Sequence, residues 1–335
     1  HYRCIMPSWY LQMNSPIYHT TCSSELQIAD MYCYDMIIFQ RHFEDKVKPL
    51  WVGAKDSGVV TVYETDDDFF NIRPANPAYK FIHNEEKQNV RDFMKSADAV
   101  VVSTEHLKIQ MKGYNPDIFV IPNMIEINKD FLAKRSYDMT KEIRVVYSGG
   151  PSHADDFIGM DGALIKLLDD FGDRIKLIFM GWMPECLKAD KRIINIPWIM
   201  SPVGYMSKLA NVQPHIGICP LEDNVFNRSK SNNKWLEYTS VGAATVASNV
   251  LPFREVITNG TSGVLVDTQR SRDWYGALVG LINNPDKIKP MANAALQVLE
   301  EKQLNITTTP LIIQTMDAIF KRTAEKREKM RKKSA

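Results

Sequence analysis

At 335 residues, 44% hydrophobic and 24% charged, the chain has a globular composition and the length of two domains, which excludes collagen-like, disordered and small disulfide-stapled architectures. Its net charge of +1 hides an asymmetry: residues 321–335 carry eight Lys or Arg and two Glu, a local +6 that leaves −5 elsewhere. A whole-surface nucleic-acid footprint is therefore excluded, and the tail alone is left either to seek phosphates or an anionic membrane, or to be a solvated helix end. The five cysteines are odd in number and lack any C-x-x-C spacing, which predicts a reducing, cytosolic compartment with neither a disulfide framework nor a zinc site. No apolar run approaches the length of about 18 residues that a membrane span needs, and a soluble cytoplasmic protein is expected.

In chain order, Tyr34–Gln40, Val59–Glu64, Ala99–Ser103 and Ile118–Pro122 are unbroken apolar runs separated by stretches long enough for crossover helices. That is the pattern of buried parallel strands in βα repeats. His1–Ile5 reads as the remnant of a first strand, which puts Met6–Pro16 in a loop at a carboxyl end of the sheet, where open α/β sheets place ligands. Arg41 and His42 close the Tyr34 strand at the same sheet edge and are candidates to touch a ligand or phosphate, with a solvated strand end as the plain alternative. After the next strand, Glu64-Thr65-Asp66-Asp67-Asp68 crowds carboxylates at the sheet edge. Like charges raise one another's pKa and are costly without a partner, which marks a candidate site. The rival readings are an acidic helix N-terminus and a metal-binding D-x-D of Asp66 and Asp68. A metal-free site is preferred, because cationic groups follow in the second half.

The polar stretch Ile127–Glu142 interrupts the pattern. Ile143–Tyr147, Ile175–Met180, Ile193–Ile196, His215–Cys219 and Ala244–Ser248 then start a second α/β sheet, with helices over Gly162–Phe171, Gly204–Ala210 and Lys234–Gly242. The expected division is 1–138, 139–310 and a helix with a basic tail over 311–335. Gly149 and Gly150 let backbone approach a ligand after the first strand of the second sheet; Ser152 and His153 follow, and His153 can hydrogen-bond a phosphate oxygen. Beyond Pro220 a polar loop carries Arg228 and Lys230, and a helix begins near Ser231 with Lys234 and Glu237 one turn apart. Free N–H groups at that helix start suit a diphosphate, Arg228, Lys230 or Lys234 can neutralise its charge, and Glu237 can accept two ribose hydroxyl protons. On spacing alone, the Lys–Glu pair reads equally as a solvated ion pair.

Glu237, the G-A-A-T-V-A-S of Gly242–Ser248, the P-F-R-E-V-I of Pro252–Ile257 and the G-T-S-G-V-L-V of Gly260–Val266 occur in one order. Together they resemble the donor-binding half of the group 1 (family 4) retaining glycosyltransferases. The resemblance covers residues 143–310 and is loose before that. It implies an α/β GT-B fold, two Rossmann-like doubly wound domains facing a cleft, with a UDP-sugar as co-substrate and no cofactor or metal. A hexose, glucose foremost, would pass with retention to an acceptor hydroxyl on the first domain. By family position Trp198 or Ile199 would wall the base, Asp66 or Asp67 would meet the transferred sugar where relatives carry a histidine, and Lys230 with the Ser231 helix start would stabilise the departing charge. Implied acceptors are a saccharide or other small hydroxyl compound of bacterial surface-polymer or secondary metabolism, or a hydroxymethylated pyrimidine in phage DNA. A nucleotide-sugar epimerase or binding protein on the same plan is the rival class. Two departures stand out: Lys230 occupies the place of the first of two glutamates seven residues apart, and Ser148–Asp156 replaces the family's Arg and Lys after the first strand.

Overall fold

The computed structural model describes residues 1–74, 76–267 and 269–334, with side chains at all of these except 330, 331, 333 and 334. Its first sheet is wholly parallel and runs β1 (Met36–Gln40), β2 (Val60–Thr65), β3 (Ala99–Val102), β4 (Ile118–Val120) in spatial order. The apolar runs form it because both faces are covered. Tyr63, Val100 and Val102 pack with Trp51, Val90 and Phe93 on one side. Val62 and Val101 pack on the other with Met6, Tyr10 and Leu11 and with Ile312, Met316 and Ile319.

The start of the chain departs from the expected strand and loop. Ile5–Asn14 is a helix, and its buried Met6, Tyr10 and Leu11 share one helical face that covers the sheet beside the long helix Asn305–Ser334. A period-2 reading of five residues could not see that face. The basic tail is also more structured than a free end, since it continues that long helix. Arg322 pairs with Asp117 at 2.8 Å, Lys326 pairs with the same carboxylate, and Arg327 donates to the Gly58 carbonyl at 2.6 Å. Among the described residues no helix is long and apolar enough to cross a membrane.

The second sheet is also parallel, in the order β7 (Ile193–Ile196), β6 (Ile175–Gly181), β5 (Ile143–Gly149), β8 (Ile216–Cys219), β9 (Ala244–Ser248), β10 (Val264–Val266). Renumbered from β5, this is the 3-2-1-4-5-6 order of a doubly wound dinucleotide fold, with the switch point between β5 and β8. The short β10 lies outside the apolar-run pattern. The helices Met160–Phe171, Pro202–Val212 and Asn233–Ser240 fill the crossovers as expected. The last ends at Ser240, and Gly242, two residues on, has a φ of +77° in the left-handed region, a conformation that costs glycine little.

The halves meet tightly. Phe226 of the second is buried in the core of the first, Thr104 Oγ1 donates to the Ser229 carbonyl at 3.0 Å, and Asn123 Nδ2 donates to Asn233 Oδ1 at 2.6 Å.

Candidate active site

The loops that leave β5 and β8 diverge at the switch point, and the chain uses both. They enclose, with loops from the carboxyl end of the first sheet, a cavity of about 490 Å³. Ser152, His153, Lys230, Ser231 and Lys234 line it from the second domain, and Arg41, Asp66 and Asp67 face them from the first. Residues scattered over nearly two hundred positions thus converge on one space.

The second-domain wall is built to receive negative charge. Asn232, at the cap position of the helix Asn233–Ser240, makes no side-chain cap bond and instead exchanges hydrogen bonds with Gln303 at 2.7 and 3.1 Å. The helix-start amides are therefore left for another acceptor beside the cavity. Ser231 Oγ is buried there with no hydrogen-bond partner among the described residues. Burial pushes the Lys230 ammonium down, and burial together with Lys230 pushes Lys234 down to about 8. Neither lysine makes a direct ion pair among the described residues, and Asp156, Glu237, Asp66 and Asp67 act on them only from farther off. Two cations held close in a desolvated wall would gain from a diphosphate between them. His153 is held neutral, pushed down to about 3 by burial and then by Lys234. Its Nε2 lies 3.0 Å from Lys234 Nζ, and its Nδ1 lies 2.7 Å from Asp156 Oδ2.

Beyond that wall, Glu237 Oε1 accepts from the Tyr2 hydroxyl at 2.9 Å and Oε2 from the Tyr205 hydroxyl at 2.8 Å. Burial raises its pKa, and the two tyrosine hydrogen bonds oppose the rise. Each carboxylate oxygen can accept a second hydrogen bond. Tyr205 lies in turn 2.7 Å from Ser148 Oγ at the end of β5, so Glu237 sits beside the strand that delivers Gly149 and Gly150. Glu237 is not in the wall of the cavity itself. Trp198 is 62% exposed, which removes the core alternative. Its ring lies across the ends of β5 and β6, where a Cβ added at Gly181 would meet it at 2.9 Å and one at Gly150 at 3.8 Å. Ile199 is half-buried and packs with the Val146, Leu209 and Trp235 cluster.

On the facing wall, Arg41 adopts a left-handed φ of 59°, pairs with Asp67 at 2.6 Å and stands 3.6 Å from Asp66. Burial and then Asp67 raise the Asp66 pKa. The D-x-D alternative loses its second member: Asp68 is buried in its own turn, where it accepts from Phe70 N at 3.1 Å and Asn71 Nδ2 at 2.8 Å. Glu64 is buried against Arg3 at 2.6 Å.

One candidate moves away. Arg228 does not line the cavity; its guanidinium closes on exposed Asp223 through bonds of 2.6 and 3.0 Å, because the short helix Val225–Arg228 turns that side chain outward. Sequence reasoning missed Tyr2, Tyr205, Asn233 and Asp156. Asp156 carried a usable signal, three residues after His153 in a tight turn; the tyrosines carried none, since chain distance hides their contact with Glu237.

No protein-family model matches the sequence, and no curated protein matches it in sequence. Solved structures share its fold. HepE of Anabaena, in complex with UDP-glucose, superposes with a TM-score of 0.63 at 14% identity over 87% of this chain and 80% of that one. Sucrose-phosphate synthase of Thermosynechococcus elongatus gives 0.64 at 11%, over 86% and 74%. A UDP-forming α,α-trehalose-phosphate synthase of Burkholderia xenovorans gives 0.58 at 13%, over 84% and 73%. At these identities the likeness establishes the fold: the chain has the GT-B arrangement of two Rossmann-like domains across a cleft.

Proposed function

We propose that the protein is a glycosyltransferase that moves a hexose, glucose foremost, from a UDP-sugar to an acceptor hydroxyl with retention. One observation carries the reading: Lys230, Lys234 and an uncapped helix start converge at the switch point on the same cavity as Asp66 and Asp67. A diphosphate fits the cationic wall, the ribose then reaches Glu237, the base lies along Trp198, and the hexose projects toward the two aspartates. HepE supports a UDP-sugar as the ligand of this fold by the UDP-glucose it holds.

As the sugar–phosphate bond breaks, negative charge grows on the departing diphosphate. Lys230, Lys234 and the helix-start amides stand where that charge appears, and in a desolvated wall such donors stabilise it strongly. The wall does the work that a divalent cation does elsewhere, so no metal is required. On the opposite face Asp67 is fixed by Arg41, which leaves Asp66 to orient hydroxyls of the sugar or acceptor. The leaving phosphate can itself take the acceptor proton, so the protein supplies position and charge stabilisation.

A saccharide acceptor is favoured over phage DNA because three cations of the basic tail are engaged at Asp117 and at the Gly58 carbonyl. The deciding experiment incubates the protein with UDP-glucose and separate pools of glycans and hydroxymethylated-pyrimidine DNA, with and without EDTA, and follows UDP release, mass gain and the anomer formed. The expected result is UDP release that depends on a glycan, survives EDTA and yields a retained anomer. Release without acceptor, loss of turnover on chelation, or mass gain on DNA alone each overturns part of the reading. An epimerase would interconvert the sugar with no acceptor present.

A further inference from the structure

Asp156 is outside the cavity wall and only 4% exposed, yet it is tied to the cations that form that wall. We propose that Asp156 is a positioning residue for the diphosphate site, acting through His153 to fix the imidazole tautomer that aims Lys234 at the ligand. The inference rests on the nucleotide-sugar reading above and adds to it the control of Lys234.

The argument follows hydrogen-bond polarity. Asp156 Oδ1 accepts from Glu222 N and from Asn227 Nδ2, both at 2.9 Å, which orients the carboxylate. Its Oδ2 faces His153 Nδ1 at 2.7 Å. A carboxylate only accepts, so the imidazole proton belongs on Nδ1. Nε2 then presents a lone pair to Lys234 Nζ at 3.0 Å, and an ammonium only donates. The other tautomer sets N–H against ammonium at one end and lone pair against carboxylate at the other, a repulsion at both. With one N–H spent on His153, Lys234 keeps two for a ligand. Lys230, Cys219, Asp156 and Glu237 also face Lys234; Asp156 faces Lys230 too, and Arg41, Asp66 and Asp67 face it from across the cleft. Among these Lys230 is the like charge that makes the ammonium hardest to keep, which gives the histidine acceptor its value.

Asp156→Asn reverses the polarity while keeping the Oδ1 acceptor. The amide donates to Nδ1, the imidazole proton moves to Nε2, and Lys234 loses its acceptor. UDP affinity, measured by calorimetry across pH, is expected to fall about tenfold or more near neutrality, and its alkaline decline is expected to begin at lower pH than in the wild type. A merely structural role lowers affinity equally at every pH, and that outcome overturns the inference. A second measurement needs no stable variant: nitrogen NMR of histidine-labelled wild type, with the His153 signal identified by its absence in His153→Gln. Protonated Nδ1 with unprotonated Nε2 through the neutral range is expected; protonated Nε2 overturns the inference. Wild-type protein that fails to bind UDP overturns the nucleotide reading beneath it, whichever tautomer is found.

Discussion

The Tyr2 hydroxyl lies 2.9 Å from Glu237 Oε1, joining residues 235 positions apart. The start of the chain thereby holds one oxygen of the candidate ribose acceptor, and Tyr205 holds the other. Glu237→Ala removes the ribose contacts and strands the Tyr2 hydroxyl, while Tyr205 keeps Ser148 Oγ at 2.7 Å, so UDP affinity should fall by about 1.5–3 kcal/mol. Tyr2→Phe removes one donor and leaves Glu237 in place, and UDP affinity should stay within about threefold while stability drops by about 1 kcal/mol. Calorimetry and urea unfolding measure both. Undiminished UDP affinity in folded Glu237→Ala rejects the ribose assignment.

Lys230 and Arg228 stand two residues apart and serve as a matched pair. Lys230 lines the cavity and Arg228 is bound to Asp223 at the surface. Lys230→Ala should weaken UDP binding about tenfold or more, since a charge-assisted contact is worth about 1.5–3 kcal/mol. Arg228→Ala should leave it within about twofold. The reverse ranking would place the diphosphate elsewhere.

Acid should destabilise the protein early. His153 and His215 are both held neutral near 3, His153 by burial and then Lys234, His215 by burial and then Arg144. Their folded pKa values lie below the unfolded value of about 6.5, so the unfolded chain takes up protons first as pH falls. Stability is therefore lost from about pH 6.5 downward, at about 1 kcal/mol for each histidine by about pH 5.5. Urea midpoints compared at about pH 7.5 and pH 5.5 test this, and His153→Gln should remove part of the difference. Equal stability at the two values contradicts it.

The tail should matter to folding more than to nucleic acid. Deleting residues 321–335 strips Arg322 and Lys326 from Asp117, whose side chain is 11% exposed. A loss of about 1–3 kcal/mol follows from leaving a buried carboxylate unpaired. UDP affinity should be unchanged, and hydroxymethylated DNA should show no salt-dependent binding lost with the tail. Full stability after deletion, or DNA binding that disappears with it, defeats the prediction.

Arg73 of the first domain pairs with Asp155 and Glu222 of the second, near the cavity that Ile72 lines. Arg73→Ala should change stability by less than about 1 kcal/mol, because the pair is well exposed. It should speed UDP dissociation severalfold in stopped-flow measurements. An unchanged dissociation rate shows that these ion pairs across the domains do not hold the ligand in the cleft.

Local chemistry in the sequence determined much of this. The Val and Ile runs of both sheets announce themselves because strands buried on two faces must be apolar without interruption. Gly149, Lys230 and Lys234 could be singled out as candidates because a phosphate site at a strand-to-helix turn needs small residues, cations and a helix start within a short span, whereas Glu237 on spacing alone read equally as half of a solvated ion pair. Tertiary structure alone decided the rest. The helix Ile5–Asn14 replaces an expected strand because its buried face is completed by Ile312, Met316 and Ile319, about three hundred residues later. Arg228 and Lys230 looked interchangeable until a single turn of helix sent one to the surface and the other into the cleft. Asp68 looked like Asp66 until its turn closed on it. Which way a polar side chain points depends on partners brought from elsewhere in the chain, and sequence spacing records only the neighbours that are close along it.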